Sequence, residues 1–155
     1  DMRGHGESTA GWKWRAFSEP DFKTITRDVK AAKDFLWSKN IQNVVLIGAS
    51  IGANTVLNYG VTDKAVKAII LLSPGLDYRA VRVLDAANEN VKPLLVIASE
   101  DDLYARTSSQ QIVKASISEV EDEKYYKDAG HGTDMFAKER VGIDIINWLI
   151  DNNLR

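Results

Sequence analysis

The sequence predicts an α/β fold, a parallel sheet flanked by helices. Three observations point to it. Apolar runs rich in Val, Ile and Leu recur at 43–47, 66–72 and 93–98, without polar alternation. Such runs suit strands covered on both faces. Stretches with helical spacing lie between them, as right-handed crossovers require. The first run also breaks directly into Gly48-Ala49-Ser50-Ile51-Gly52, a strand-to-helix turn pattern.

Taken in order, residues 1–20 carry glycines, a proline and scattered aromatics and read as a loop. Asp21 is placed to cap a helix running to Ser38, with Phe22, Ile25, Val29, Ala32, Phe35 and Leu36 near helical spacing. The strand at 43–47 leads through the Ser50 turn to a helix at 53–59. Gly52 and Ala53 are small enough for that helix to pack closely on the strand. The strand at 66–72 ends at Ser73-Pro74-Gly75. The polar stretch 77–91 holds one or two helical turns around 80–87. The strand at 93–98 runs into Glu100-Asp101-Asp102, and a helix follows at 108–117. A last strand at 123–126 leads to Asp128-Ala129-Gly130-His131-Gly132, and an amphipathic helix at 140–152 closes the chain.

Composition narrows the function. With 155 residues the chain is one domain with one core. A formal charge of −2 offers no broad footprint for nucleic acid. There are no cysteines, so disulfides, thiolate metal sites and a cysteine nucleophile are excluded, and the redox compartment stays open. No apolar run approaches the length of a membrane span. Neither a nucleic-acid nor a membrane partner is expected.

Ser50, the acids at 100–102 and His131 each follow a strand end. Parallel sheets gather function at that carboxyl edge. A serine on a tight bend after a buried strand presents its hydroxyl above the sheet. It needs a base near neutral pH, which histidine suits best. Of the two histidines, His5 and His131, the second has glycines on both sides, which let a loop bring the ring inward. An isolated loop histidine is ordinarily just polar surface. The order Ser, acid, His outweighs that reading. Asp102 is the favoured acid, with Asp101 in reserve and Glu100 and Asp77 as weaker candidates. The Ile51 backbone N–H, at the positive end of the following helix, is one oxyanion donor. Dinucleotide and Walker patterns fail, because Ser50 stands where the first needs glycine and no Gly-Lys-Ser/Thr follows. Trp12, Trp14 and Phe17 are expected to pack over a core edge rather than to rim a pocket. Tyr104 follows the acid loop, and its role stays open.

Four segments carry a family resemblance: Asp1-Met2-Arg3-Gly4-His5-Gly6-Glu7-Ser8, Gly48-Ala49-Ser50-Ile51-Gly52, Ala98-Ser99-Glu100-Asp101-Asp102 and Gly130-His131-Gly132. In this order the chain resembles the α/β-hydrolase superfamily, in particular small lidless esterases and dienelactone-hydrolase-like members. The resemblance implies Ser50 as nucleophile, Asp102 as triad acid and His131 as base. It implies a structural role for His5, in a loop near the active site. It further implies a serine hydrolase that cleaves carboxylic esters through an acyl-enzyme, without metal or organic cofactor. The short stretch between the second and third strands leaves no room for a large cap domain, which favours small or medium acyl substrates. A peptidase or thioesterase with the same triad, or a non-catalytic binding module, is the alternative. Family members place strands and a helix before the Asp-x-Arg-Gly-His-Gly segment. The expectation is therefore a C-terminal portion of a hydrolase domain, lacking the loop that gives the second oxyanion N–H. Strand 43–47 would then expose an apolar edge, to be paired by another chain or by an N-terminal segment.

Overall fold

A computed structural model describes residues 1–9 and 11–154. Its main sheet has four parallel strands. They are Val44–Ala49 (β1), Val66–Leu72 (β2), Leu94–Ser99 (β5) and Glu121–Tyr126 (β6), in the spatial order β1-β2-β5-β6. A two-stranded antiparallel hairpin, Asp77–Tyr78 (β3) and Val81–Arg82 (β4), stands apart from it. The helices are Glu19–Lys23 (α1), Thr26–Ser38 (α2), Ile51–Gly60 (α3), Leu84–Glu89 (α4), Leu103–Ala115 (α5) and Val141–Asp151 (α6).

The strand order follows chain order, so right-handed crossovers put the connecting helices on one face. Ile69 and Leu71 of β2, with Leu94 and Val96 of β5, meet Ala53 and Leu57 of α3 and Ile112 of α5 there. The alternate residues Ala68, Ile70, Leu72, Leu95 and Ile97 face the other way, toward Met135, Val141, Ile145 and Trp148. This period of two, apolar on both faces, explains why β2 and β5 are continuous apolar runs.

Several boundaries differ from the sequence expectation. The single helix from Asp21 is two. Ser18 caps α1, and Asp21 closes a capping box by accepting the Ser18 N–H at 2.8 Å. Thr24 ends α1, and α2 starts after it. Phe35 is exposed, whereas Val29 and Leu36 rest on the core. The helix after Ser50 begins at Ile51, and the helix expected from 108 begins at Leu103, because Asp102 caps it through its Ala105 N–H. The stretch around 80–87 is a hairpin and then α4. Arg79 and Ala80 form its two-residue turn, with φ of 54° and 63°. That geometry matches the twist of a hairpin, but the usual cue is Asn-Gly, so the pattern was silent here. Among the described residues before α1 there is one 3-10 turn, Trp14–Ala16, and Glu19 and Pro20 already belong to α1.

The N-terminal loop is tied down electrostatically. Arg3 donates from Nη2 and Nε to Asp28 Oδ1 at 2.6 and 2.9 Å, and from Nη1 to Thr24 Oγ1 at 3.0 Å. Desolvation would raise the Asp28 pKa, but the Arg3 hydrogen bonds and charge outweigh it and hold the carboxyl below 3.8. A depressed folded pKa stabilises above the unfolded value and is lost as pH falls through the folded one. Asp28→Ala should therefore lower stability by about 1–2 kcal/mol at pH 7. Urea denaturation should show that difference closing as the medium is acidified below 3.8.

Candidate active site

Strand β1 hands over to α3 through a single residue. Ser50 has φ 55° and ψ −126°, outside the regions a side chain prefers. Its N–H is held by the Leu72 carbonyl at 2.9 Å, so β2 anchors the bend. The bend brings Gly48 against α3. A Cβ at Gly48 would lie 2.3 Å from the Gly52 carbonyl oxygen. Gly52 itself is different, since a Cβ there would meet nothing within 4 Å. Close packing of helix on strand thus needs Gly48 rather than Gly52. Ile51 is the first residue of α3, where an amide has no partner within the helix.

Asp102 uses both carboxylate oxygens. Oδ1 accepts the Ala105 N–H at 3.3 Å, and Oδ2 lies 2.5 Å from His131 Nδ1. Cap and imidazole contact therefore orient one another. Asp101, the reserve candidate, points elsewhere: its Oδ1 accepts from Ser99 Oγ and from the Gly130 N–H at 3.3 Å. Asp77 stays in the hairpin, accepting the Ala80 N–H at 2.8 Å and Arg82 Nε at 3.1 Å. Glu100 donates its backbone N–H to Tyr126 O at 2.7 Å.

The loop carrying His131 lies against the Ser50 turn. A methyl placed on Gly132 would sit 3.6 Å from the Ala49 Cβ. Gly130 and Gly132 have φ of 81° and 58°, a region only glycine enters without strain. Tyr78 joins the two halves. Its ring meets His131 edge-on at 6.1 Å and lines a cavity with Ser50. Among the described residues no hydrogen bond links His131 to Ser50. Burial, and then the Asp102 charge, push the Tyr78 phenol up to about 12, while the nearby Ser50 hydroxyl works the other way. Tyr78 is therefore a neutral group at ordinary pH. The sequence pattern did not single it out, because nothing before the hairpin was seen marks its direction. Tyr104 packs on Tyr78 at 5.5 Å and bonds the Asp77 backbone at 3.0 Å, which fixes the hairpin over the site.

The cavity beside Ser50 has a volume of about 230 Å³, with His5, Trp14 and Phe22 among its walls. Trp14 and Phe17 pack over the core edge formed by Phe22, Ile25 and Val81, as expected; Trp14 also lines this cavity, and Trp12 is half exposed. His5 stacks on Trp14 at 5.7 Å, its Nδ1 3.0 Å from the Arg3 carbonyl oxygen. No group of three or more His, Cys, Asp and Glu able to hold a metal ion occurs among the described residues. No described helix is long and apolar enough to cross a membrane.

A parallel sheet with helices on both faces is the layout of an α/β-hydrolase. The family described as Hydrolase_4, serine aminopeptidase S33, matches residues 1–85, more than half of the 155. The chain belongs to that family. An esterase of Pyrococcus furiosus superposes with a TM-score of 0.77 at 18% identity, over 97% of this chain and 68% of that one. A monoacylglycerol lipase of Paleococcus ferrophilus gives 0.75 at 12% identity, over 99% and 81%. A dienelactone hydrolase of Anabaena variabilis gives 0.74 at 18%, over 94% and 67%. These likenesses establish the α/β-hydrolase fold. Curated protein sequences contain no match to the chain.

The two glycines of the turn should respond oppositely. Gly48→Ala should destabilise the protein by roughly 2–3 kcal/mol through overpacking against backbone. Gly52→Ala, inside α3 and facing open space, should be neutral or add up to about 1 kcal/mol. Chemical denaturation of the two variants checks this, and equal losses would contradict it.

Proposed function

We propose that the protein is a serine hydrolase of carboxylic esters, with Ser50 as nucleophile, His131 as base and Asp102 as the acid. The observation that carries this is the 2.5 Å contact between His131 Nδ1 and Asp102, made beside the strained Ser50 turn. Asp102 holds the Nδ1 proton, which leaves Nε2 free to take the Ser50 proton. Ser50 Oγ then attacks the carbonyl, and the oxyanion forms against the Ile51 N–H at the start of α3. The alcohol leaves as His131 returns the proton, and water cleaves the acyl-enzyme by the same route. This chemistry calls on no cofactor.

A second reading, a peptidase with the same residues, is favoured by the family description as a serine aminopeptidase. A panel of p-nitrophenyl esters, acyl thioesters and aminoacyl amides separates the two. The first test is labelling with a fluorophosphonate. The folded protein should label, Ser50→Ala should abolish the label, and His131→Ala should slow it by roughly 10⁴-fold or more. A folded but unlabelled wild-type protein refutes the hydrolase reading and leaves the binding-module alternative.

The β1 edge belongs to the same proposal. Among the described residues β1 pairs only with β2. Its free side, with Ile47 half exposed, borders a groove of about 590 Å³ that Gly48 and Gly52 also line. We propose that an added strand pairs there, a second copy of the chain being the occupant available to the isolated protein. Light scattering should show association that rises with concentration, and a clean monomer at high concentration would count against it.

A further inference from the structure

Two buried serines at neighbouring strand ends grip the loop that carries His131. Ser73 follows β2 and is fully buried. Its Oγ accepts the Gly132 N–H at 2.8 Å. Ser99 ends β5, is equally buried, and its Oγ accepts the Ala129 N–H at 2.8 Å. The Ser99 hydroxyl proton goes to Asp101, whose carboxylate takes the Gly130 N–H in turn. The amides of residues 129, 130 and 132, on both sides of His131, are thus all held by side chains. These side chains sit at or just beyond the ends of β5 and β2, the two central strands, rather than in the loop itself.

Ser73 is the more telling of the pair. Its φ is 46°, a conformation that costs a serine and not a glycine. Its own N–H is fixed by the Ile97 carbonyl at 2.8 Å, and its carbonyl receives the Tyr78 hydroxyl at 3.4 Å. Glycine would suit that backbone better. The hydroxyl is what glycine lacks, and that hydroxyl is spent on the residue next to His131.

We propose that Ser73 and Ser99 are positioning residues that set the imidazole of His131 relative to Ser50. The proposal rests on the hydrolase reading above. Ser73 acts through Gly132, and Ser99 acts through Ala129 and, by way of Asp101, through Gly130. Neither touches substrate. A displacement of about 1 Å in a catalytic group can cost on the order of 100-fold in rate, so a clamp on both sides of the base has a direct kinetic consequence.

The test uses Ser73→Gly, which keeps the backbone conformation unstrained and removes only the hydroxyl, with Ser99→Ala as second variant. Both should fold, as judged by circular dichroism. The fluorophosphonate labelling rate and the ester kcat should fall by about 10- to 100-fold, with KM changed less than two- or threefold. Hydrogen exchange at the Gly132 amide should accelerate in Ser73→Gly, and at the Ala129 amide in Ser99→Ala. Folded variants that label and turn over at the wild-type rate overturn the proposal. A parallel rise in KM with unchanged kcat also overturns it, since that would mark a pocket effect. If the wild-type protein does not label, the hydrolase reading fails first. Exchange at residues 129 and 132 then still reads whether the clamp exists, and unchanged protection in the variants refutes it independently of activity.

Discussion

Ser50 holds φ 55° and ψ −126° because β1 and α3 must meet within one residue. A serine held in so sparsely populated a backbone region costs about 1–3 kcal/mol. The bend persists because its surroundings overdetermine it. The Leu72 carbonyl holds its amide, Ala53 and Leu57 bury α3 against the sheet, and Gly48 lets the helix approach. A leucine buried like Leu57 contributes about 1.5–3 kcal/mol. A few such contacts outweigh the strain, so the core keeps a conformation that the turn alone would not hold.

The same economy of parts governs the opposite side of the site. Asp102 ends one strand connection, starts α5 and contacts His131. Asp101 next to it serves the loop backbone instead. Adjacent carboxylates divide the work because the chain turns between them, and α5 admits only one of them as its cap. The hairpin then closes the site from above, with Tyr78 between the Ser50 turn and the His131 ring.

The two edges of the sheet are treated differently. β6 carries Glu121, Asp122, Glu123 and Lys124, charges that discourage strand addition. Asp122 accepts the Trp148 indole N–H at 2.7 Å, and Lys124 pairs with Asp144 at 2.6 Å, so the edge is also strapped to α6. β1 reads Val-Val-Leu-Ile-Gly-Ala with no charge at all. The groove beside it is mostly apolar in its residues, from Met2 through Leu36 to Val56. One edge is built to face water, and the other has the character of an interior strand.

By itself the sequence determined the parallel α/β layout, since apolar runs at 66–72 and 93–98 admit little but doubly covered strands. It also indicated which segments reach the carboxyl edge of the sheet, because Ser50, Asp102 and His131 each follow a strand end. Hydrophobic period failed where local caps and backbone conformation decide. The start of α1 and the early start of α5 depend on caps spanning three residues, and the hairpin on a left-handed Arg79-Ala80 turn, none of which the period of apolar residues records. Only tertiary structure separated Asp102 from Asp101, set Tyr78 over Ser50 and turned Ser73 and Ser99 toward the His131 loop. The contacts of Asp102, Ser99 and Ser73 with the His131 loop are hydrogen bonds spanning 29 to 59 residues, and spacing along a chain carries no record of which distant amide a buried hydroxyl will meet.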